Sequence, residues 1–184
     1  PVMGTNEIWR VGLHGGAAET VAADLGVPDA VKFDARGNIV STQVASGQVL
    51  RIDPRSGGRR VLADIAPGLD NLTFVGNRLF VSSISGQINE VLGDGRIRSL
   101  VPDGLNWPLG LAMGEDGLLF VADGGFVYTL RPGGALQCAG MFFTPGFPGY
   151  TRGVAAAAPG EFVVTTANGA VARFWPGKHE SAVL

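Results

Sequence analysis

PDAVKFDARGNIVSTQVASGQVLRIDPRSGGRRVLADIAPG, residues 28–68, decides the fold. It holds four short apolar runs, VKF, NIVSTQ, QVLRID and RRVLAD. Each is too short for a helix, and Gly, Pro, Asp or Ser stands between one run and the next. The pattern returns in residues 69–106, 107–149 and 150–184. Its register can be checked twice. Gly37, Asn77, Gly117 and Gly160 precede the second run, at spacings of 40, 40 and 43. Gly47, Gly86, Gly125 and Gly169 open the third, at spacings of 39, 39 and 44. A period near 40 with four short strands per unit marks a propeller blade. Helical repeats of that period need segments of about 10–15 residues with a 3.6 period, and none is present.

The aligned strands are VKF, LTF, LAM and VAA for strand one, and NIVSTQ, RLFVSS, LLFVAD and EFVVTT for strand two. QVLRID, QINEVL, FVYTLR and AVARFW give strand three; RRVLAD, RIRSLV, ALQCAG and ESAVL give strand four. Arg36-Gly37, Asp116-Gly117 and Pro159-Gly160 supply turns between strands one and two, where glycine accepts positive φ. Residues 1–27 fit the second half of a further unit, with NEIWRVGL as strand three and AETVAADL as strand four. The expectation is an all-β protein, a β-propeller of four full four-stranded blades plus a half blade. That makes 18 strands in one domain over 1–184, with blades at 1–27 (half), 28–68, 69–106, 107–149 and 150–184. A chain that opens in mid-blade is expected to close through residues outside this stretch or through another subunit.

Composition agrees. The 184 residues include 29 Gly, and only 16% are charged. That excludes a disordered chain and a coiled coil. Net charge is −2 and the 14 basic residues are scattered, so no basic face for nucleic acid is expected. No apolar run reaches the ~18 residues of a membrane helix. Cys138 is the single cysteine, so no intrachain disulfide forms; in an outer strand it reads as a small buried hydrophobe. Nothing in the sequence assigns a compartment, cytoplasmic or exported.

PDAVKFDARGNIVSTQVASGQVLRIDP (28–54) resembles the gluconolactonase (senescence marker protein) family of six-bladed propellers. The shared pattern is Pro-Asp, a small-residue strand, Asp, Gly-Asn, then an arginine-containing strand ending Asp-Pro. LDNLTFVGNRLFVSS (69–83) is similar to the blade that follows in that family, and WPLGLAMGEDGLLFVAD (107–123) looks like a blade of NHL-repeat proteins. The resemblance implies part of a six-bladed ring and hydrolysis of lactones with calcium or zinc at the mouth of the central channel. Asp29 matches the Pro-Asp carboxylate. Leu109-Gly110 stands where an Asn-Gly ligand pair is expected, and the family's N-terminal Glu ligand has no counterpart here.

The repeat alone locates a candidate site. Asp29, Asp70, Leu109 and Arg152 are equivalent, followed by Ala30, Asn71, Gly110 and Gly153. First strands converge near a propeller axis, so these positions should face a common funnel. Asp29, Asp70 and Asn71 offer hard oxygen ligands suited to Ca²⁺ more than Zn²⁺, and Asp29 or Asp70 is a candidate base. The bland alternative is that both aspartates cap loops. Arg152 either binds a substrate carboxylate or pairs with Asp70. Trp107 and Tyr150 either line a ligand funnel or pack between blades. His14 and His179 fall in turns between strands three and four, away from the site. Asp34, Asp53 and Asp123 read as turn caps. Two functions follow: a metal-dependent lactone or ester hydrolase acting on a small molecule, or a non-catalytic NHL-like scaffold binding a protein or glycan on its loop face.

Overall fold

The computed structural model describes residues 1–114, 117–141, 151–178 and 180–184. Tyr150, Asp116 and His179 lie outside the described residues. A two-stranded sheet pairs β1 (Ile8–Arg10) with β2 (Glu19–Ala22). Four four-stranded sheets follow, each with its strands in sequence order. They comprise β3 (Pro28–Phe33), β4 (Ile39–Gln43), β5 (Gln48–Ile52) and β6 (Arg59–Asp64); β7 (Leu69–Val75), β8 (Arg78–Ser83), β9 (Gln87–Val91) and β10 (Ile97–Val101); β11 (Pro108–Met113), β12 (Leu119–Asp123), β13 (Phe126–Leu130) and β14 (Gln137–Met141); and β15 (Thr151–Ala158), β16 (Glu161–Thr166), β17 (Val171–Trp175) and β18 (Glu180–Val183). The 18 expected strands are all present among the described residues. The first strands begin about three residues earlier than the apolar runs suggest, because Pro28, Pro108 and Thr151 already pair with the second strands.

The chain divides into two compact units, residues 1–81 with 90–98, and residues 82–89 with 99–184. In the first unit, alternate residues of β4 and β5 point to opposite faces, as strand geometry requires. Val40 and Val49 pack with Leu69, Leu72, Leu79 and Val81. Ile39, Leu50 and Ile52 pack with Ile8, Ala22 and Leu25. Both faces of β4 are buried, its polar Ser41, Thr42 and Gln43 included. In the second unit, Phe120, Val127 and Ala139 pack against Phe162, Val164, Ala172 and Phe174. The fourth strands are largely exposed. Cys138 on β14 is exposed too, contrary to the sequence expectation of a buried thiol.

Two of the repeat glycines have a clear physical cause. Gly47 and Gly86 both hold positive φ, 71° and 93°. A Cβ on Gly47 would sit 2.3 Å from the Ala66 carbonyl carbon, and one on Gly86 would sit 2.3 Å from the Leu105 oxygen. The segment leading to the next sheet passes over the turn, and only glycine leaves it room. In the third unit of the repeat it is Gly124, one residue before the expected Gly125, that takes positive φ.

These contacts separate two kinds of glycine. Gly37 has φ of 79° but open space around it. Gly37→Ala is expected to cost about 1 kcal/mol through the left-handed backbone alone. Gly47→Ala, which also forces an overlap with backbone, should cost at least ~2 kcal/mol more. Urea unfolding of the two variants measures the difference; equal costs would refute the close-approach account.

Candidate functional site

The site begins with a flaw in pairing. On β3 and β4, Pro28 faces Gln43 and Val31 faces Ser41, so β3 carries one extra residue. On β11 and β12, Pro108 faces Asp123 and Gly110 faces Ala122. On β15 and β16, Thr151 faces Thr166 and Gly153 faces Thr165. Each is a β-bulge, which pushes a residue out of the ladder and re-aims its side chain. The bulged stretches contain Asp29, Leu109 and Arg152, the positions that the repeat makes equivalent. These residues therefore lie within strands rather than in the preceding loops.

In the first unit the bulge brings Asp29 to Asp70 on β7, and their carboxyl groups share a hydrogen bond. Burial raises the pKa of Asp29; the hydrogen bond with Asp70 opposes that rise only in part. Both residues are half-buried.

The pair is held by Thr42, a fully buried β4 residue. Its hydroxyl accepts the Ala30 N–H at 3.0 Å and donates to the Asp70 carbonyl oxygen at 2.5 Å. One hydroxyl thus fastens the bulge of β3 to the backbone of β7. The Gly153 N–H donates to Thr165 Oγ1 at 3.1 Å, the same amide-to-hydroxyl bond at the equivalent bulge of the second unit, here on an exposed threonine. In the sheet whose bulge carries Leu109, the equivalent residue is Ala122. There, a Cβ on Gly110 would lie 3.1 Å from Val154 N and 3.2 Å from Arg152 O, so β11 and β15 approach at the backbone.

The other expected ligand fares differently. Asn71 Oδ1 accepts the N–H of Leu72 at 2.8 Å, a local bond that engages its carbonyl oxygen. Among the described residues, no three His, Cys, Asp or Glu side chains converge as a metal cluster. Asp29 and Asp70 are the two carboxylates that come together.

In the second unit, Trp107 is exposed just ahead of β11. Its N–H and that of Asn106 donate to the buried Asp123 carboxylate, the Asn106 bonds measuring 2.9 Å. Gln43 does the same for Gly26 at 2.9 Å. Both clasps span 17 residues. Asp123 is therefore more than a turn cap: it fixes the segment leading into its own sheet. Arg152 is exposed in the β15 bulge, suited to a carboxylate ligand. Asp34 and Asp53 do cap turns, Asp34 through the N–H groups of Arg36 and Asn38 and Asp53 through that of Arg55. His14 is exposed between β1 and β2.

Solved structures share this architecture. The nidogen–laminin complex contains a chain matched with a TM-score of 0.79 at 21% identity, over 95% of this chain and 70% of that one. The arrangement is that of a β-propeller. A catalytically inactive virginiamycin B lyase from Staphylococcus aureus, solved with quinupristin, matches with a TM-score of 0.77 at 17% identity, over 98% of this chain and 63% of its own. A protein described as a gluconolactonase matches with a TM-score of 0.76 at 17% identity, over 97% and 69%. The propeller seen here thus spans roughly two thirds of each neighbour. No protein-family model and no curated protein matches the sequence. Among the described residues, no helix is long and apolar enough to cross a membrane.

The raised pKa of Asp29 has a consequence for stability. A carboxyl group whose pKa is higher in the folded than in the unfolded state favours folding when protonated. That contribution is complete below the unfolded value and is lost as pH rises through the folded one. In chelator-treated protein, Asp29→Asn is expected to raise stability at pH 7, with the gain shrinking toward zero near pH 3. Denaturant unfolding at both values checks this; a loss of stability at pH 7 would contradict it.

Proposed function

We propose that this propeller hydrolyses a small lactone or ester at the Asp29–Asp70 pair, with a calcium ion as cofactor. The observation that carries the reading is the pair itself: two half-buried aspartates in hydrogen-bond contact, beside a buried threonine that bonds the backbone of both their strands. Two such groups need a positive charge between them, either a shared proton or a cation. The donor atoms are carboxylate oxygens, which suit calcium better than zinc. Calcium takes six to eight oxygens, so water and substrate would complete the shell around these two residues.

When bound, the ion would polarise the substrate carbonyl and acidify a water. The chain's own part is simpler. Thr42 and the bulge hold the two carboxylates at a fixed separation. Asp29 and Asp70 anchor the charge, and a carboxylate oxygen turned toward the substrate accepts the proton of the attacking water. The resemblance at residues 28–83 and the likeness to a gluconolactonase structure support lactones as the substrate class.

Hydrolysis of a panel of lactones and aryl esters, with and without chelator, tests the proposal. Asp29→Asn and Asp70→Asn should each lower kcat/KM by about 100-fold or more, and chelation should abolish turnover until calcium is restored. Cation binding needs ionised carboxylates and burial raises the pKa of Asp29, so calcium affinity should fall as pH falls. Full activity in both variants would overturn the assignment. A second reading, a non-catalytic propeller that binds a protein or glycan, is favoured by the likeness to the nidogen–laminin complex. An inactive wild type that binds no calcium would select it.

A further inference from the structure

We propose that one end of the β3–β6 sheet is a docking surface for an acidic polysaccharide, at the opposite end of that sheet from Asp29. Along the sequence the basic residues are scattered, but the strand register gathers them. Lys32 pairs with Val40, Val40 with Arg51, and Arg51 with Arg60, so the three cations stand in one row on one face of the sheet. Arg36 lies in the turn from β3 to β4, Arg55 lies in the turn from β5 to β6, and Arg59 opens β6. All these cations sit at the end of the sheet that carries the two turns. The acids at that end are Asp34 and Asp53. The other end of the same sheet holds Asp29 and Asp64 and no Lys or Arg.

The positive charge is not absorbed inside the sheet. Like charges directly opposite on neighbouring strands repel, and Arg51 faces Arg60 in that way. Asp34 answers Arg51 at 2.8 Å, and Asp53 accepts the Arg55 backbone N–H at 2.7 Å. Among the described residues, Lys32, Arg36 and Arg60 form no ion pair, and all three are exposed. Most of the cations are arginines, whose planar forks match carboxylate and sulfate groups. Each exposed ion pair is weak, so a single small anion gains little here, whereas a chain of anionic groups engages several cations at once. An acidic polysaccharide has that form. Nucleic acid is disfavoured on two counts. Reading a duplex groove takes a projecting helix or ribbon; here both turns are tight, closed by Gly37 N–H to Asp34 O and Gly57 N–H to Asp53 O, each at 2.9 Å. Holding a single strand takes stacking rings among the cations; Phe33 is the only aromatic residue in 28–64.

Fluorescence anisotropy of a labelled heparin oligosaccharide, titrated with the intact chain, tests the surface. Binding is expected at low ionic strength and should weaken about tenfold or more between about 50 mM and 200 mM salt. The triple variant Lys32→Gln, Arg36→Gln, Arg60→Gln should bind about tenfold more weakly or worse. A second triple variant, Arg131→Gln, Arg173→Gln, Lys178→Gln, removes the same charge from the other unit and should stay within about twofold of wild type. Arg36→Lys with Arg60→Lys keeps the charge and should hold affinity within about threefold. Urea midpoints show that each variant is folded. Equal losses in the two triple variants would mean attraction by net charge alone and would overturn the surface. Tighter binding of duplex DNA than of the glycan overturns the choice of partner, and no binding at low salt overturns the proposal outright.

Discussion

A strand that runs one residue long against its partner must push that residue out of the hydrogen-bonded ladder, and here the excess falls near the start of β3, β11 and β15. The constraint is local, but it sets what each position can do. Extrusion takes the side chain out of the strand's alternation, and the three outcomes differ: Arg152 is exposed, Asp29 half-buried and Leu109 buried. The backbone N–H that follows then needs a new acceptor, because a buried amide without one is costly. Thr42 and Thr165 supply it in two sheets. In the first unit the same hydroxyl also reaches the neighbouring β7, so that satisfying one amide fixes two strands.

The pairing of Asp29 with Asp70 works against stability. Burial favours the neutral acid, and two carboxyl groups in contact cannot both ionise cheaply. A structure selected for stability alone would place an apolar or amide side chain there. Two other acids meet arginine, Glu90 with Arg78 at 2.7 Å and Asp34 with Arg51 at 2.8 Å, and the buried Asp123 takes backbone N–H groups instead. Local strain of this kind is typical of positions kept for binding or chemistry. It is the contrast with Glu90 and Asp34 that singles the pair out.

Much of this was legible in the sequence. Strand number and order followed from the glycine register, because tight turns leave glycine few substitutes. Gly47 and Gly86 illustrate the reason, since a passing backbone excludes any side chain. Alignment of the units also puts Asp29 and Asp70 at one position. The start of the first strands was harder to read, because Pro28 and Asp29 look like breakers while the bulge absorbs them. Thr42 was hidden as a polar residue inside NIVSTQ, although Thr165 in EFVVTT repeats it at the same register. The clasps of Gln43 and Asp123 depend on contacts across 17 residues that no periodicity reports. The bond from the Leu72 amide to the Asn71 side-chain carbonyl is local, and no repeat spacing reports it.

The central claim is that the Asp29–Asp70 pair forms a cation site. Crystals of the protein soaked with terbium, which replaces calcium and scatters anomalously, test it most directly. The account predicts one strong anomalous peak bridged by both carboxylates, lost in the Asp29→Asn crystal. Two carboxyl groups still in direct contact, with no peak between them, would contradict it.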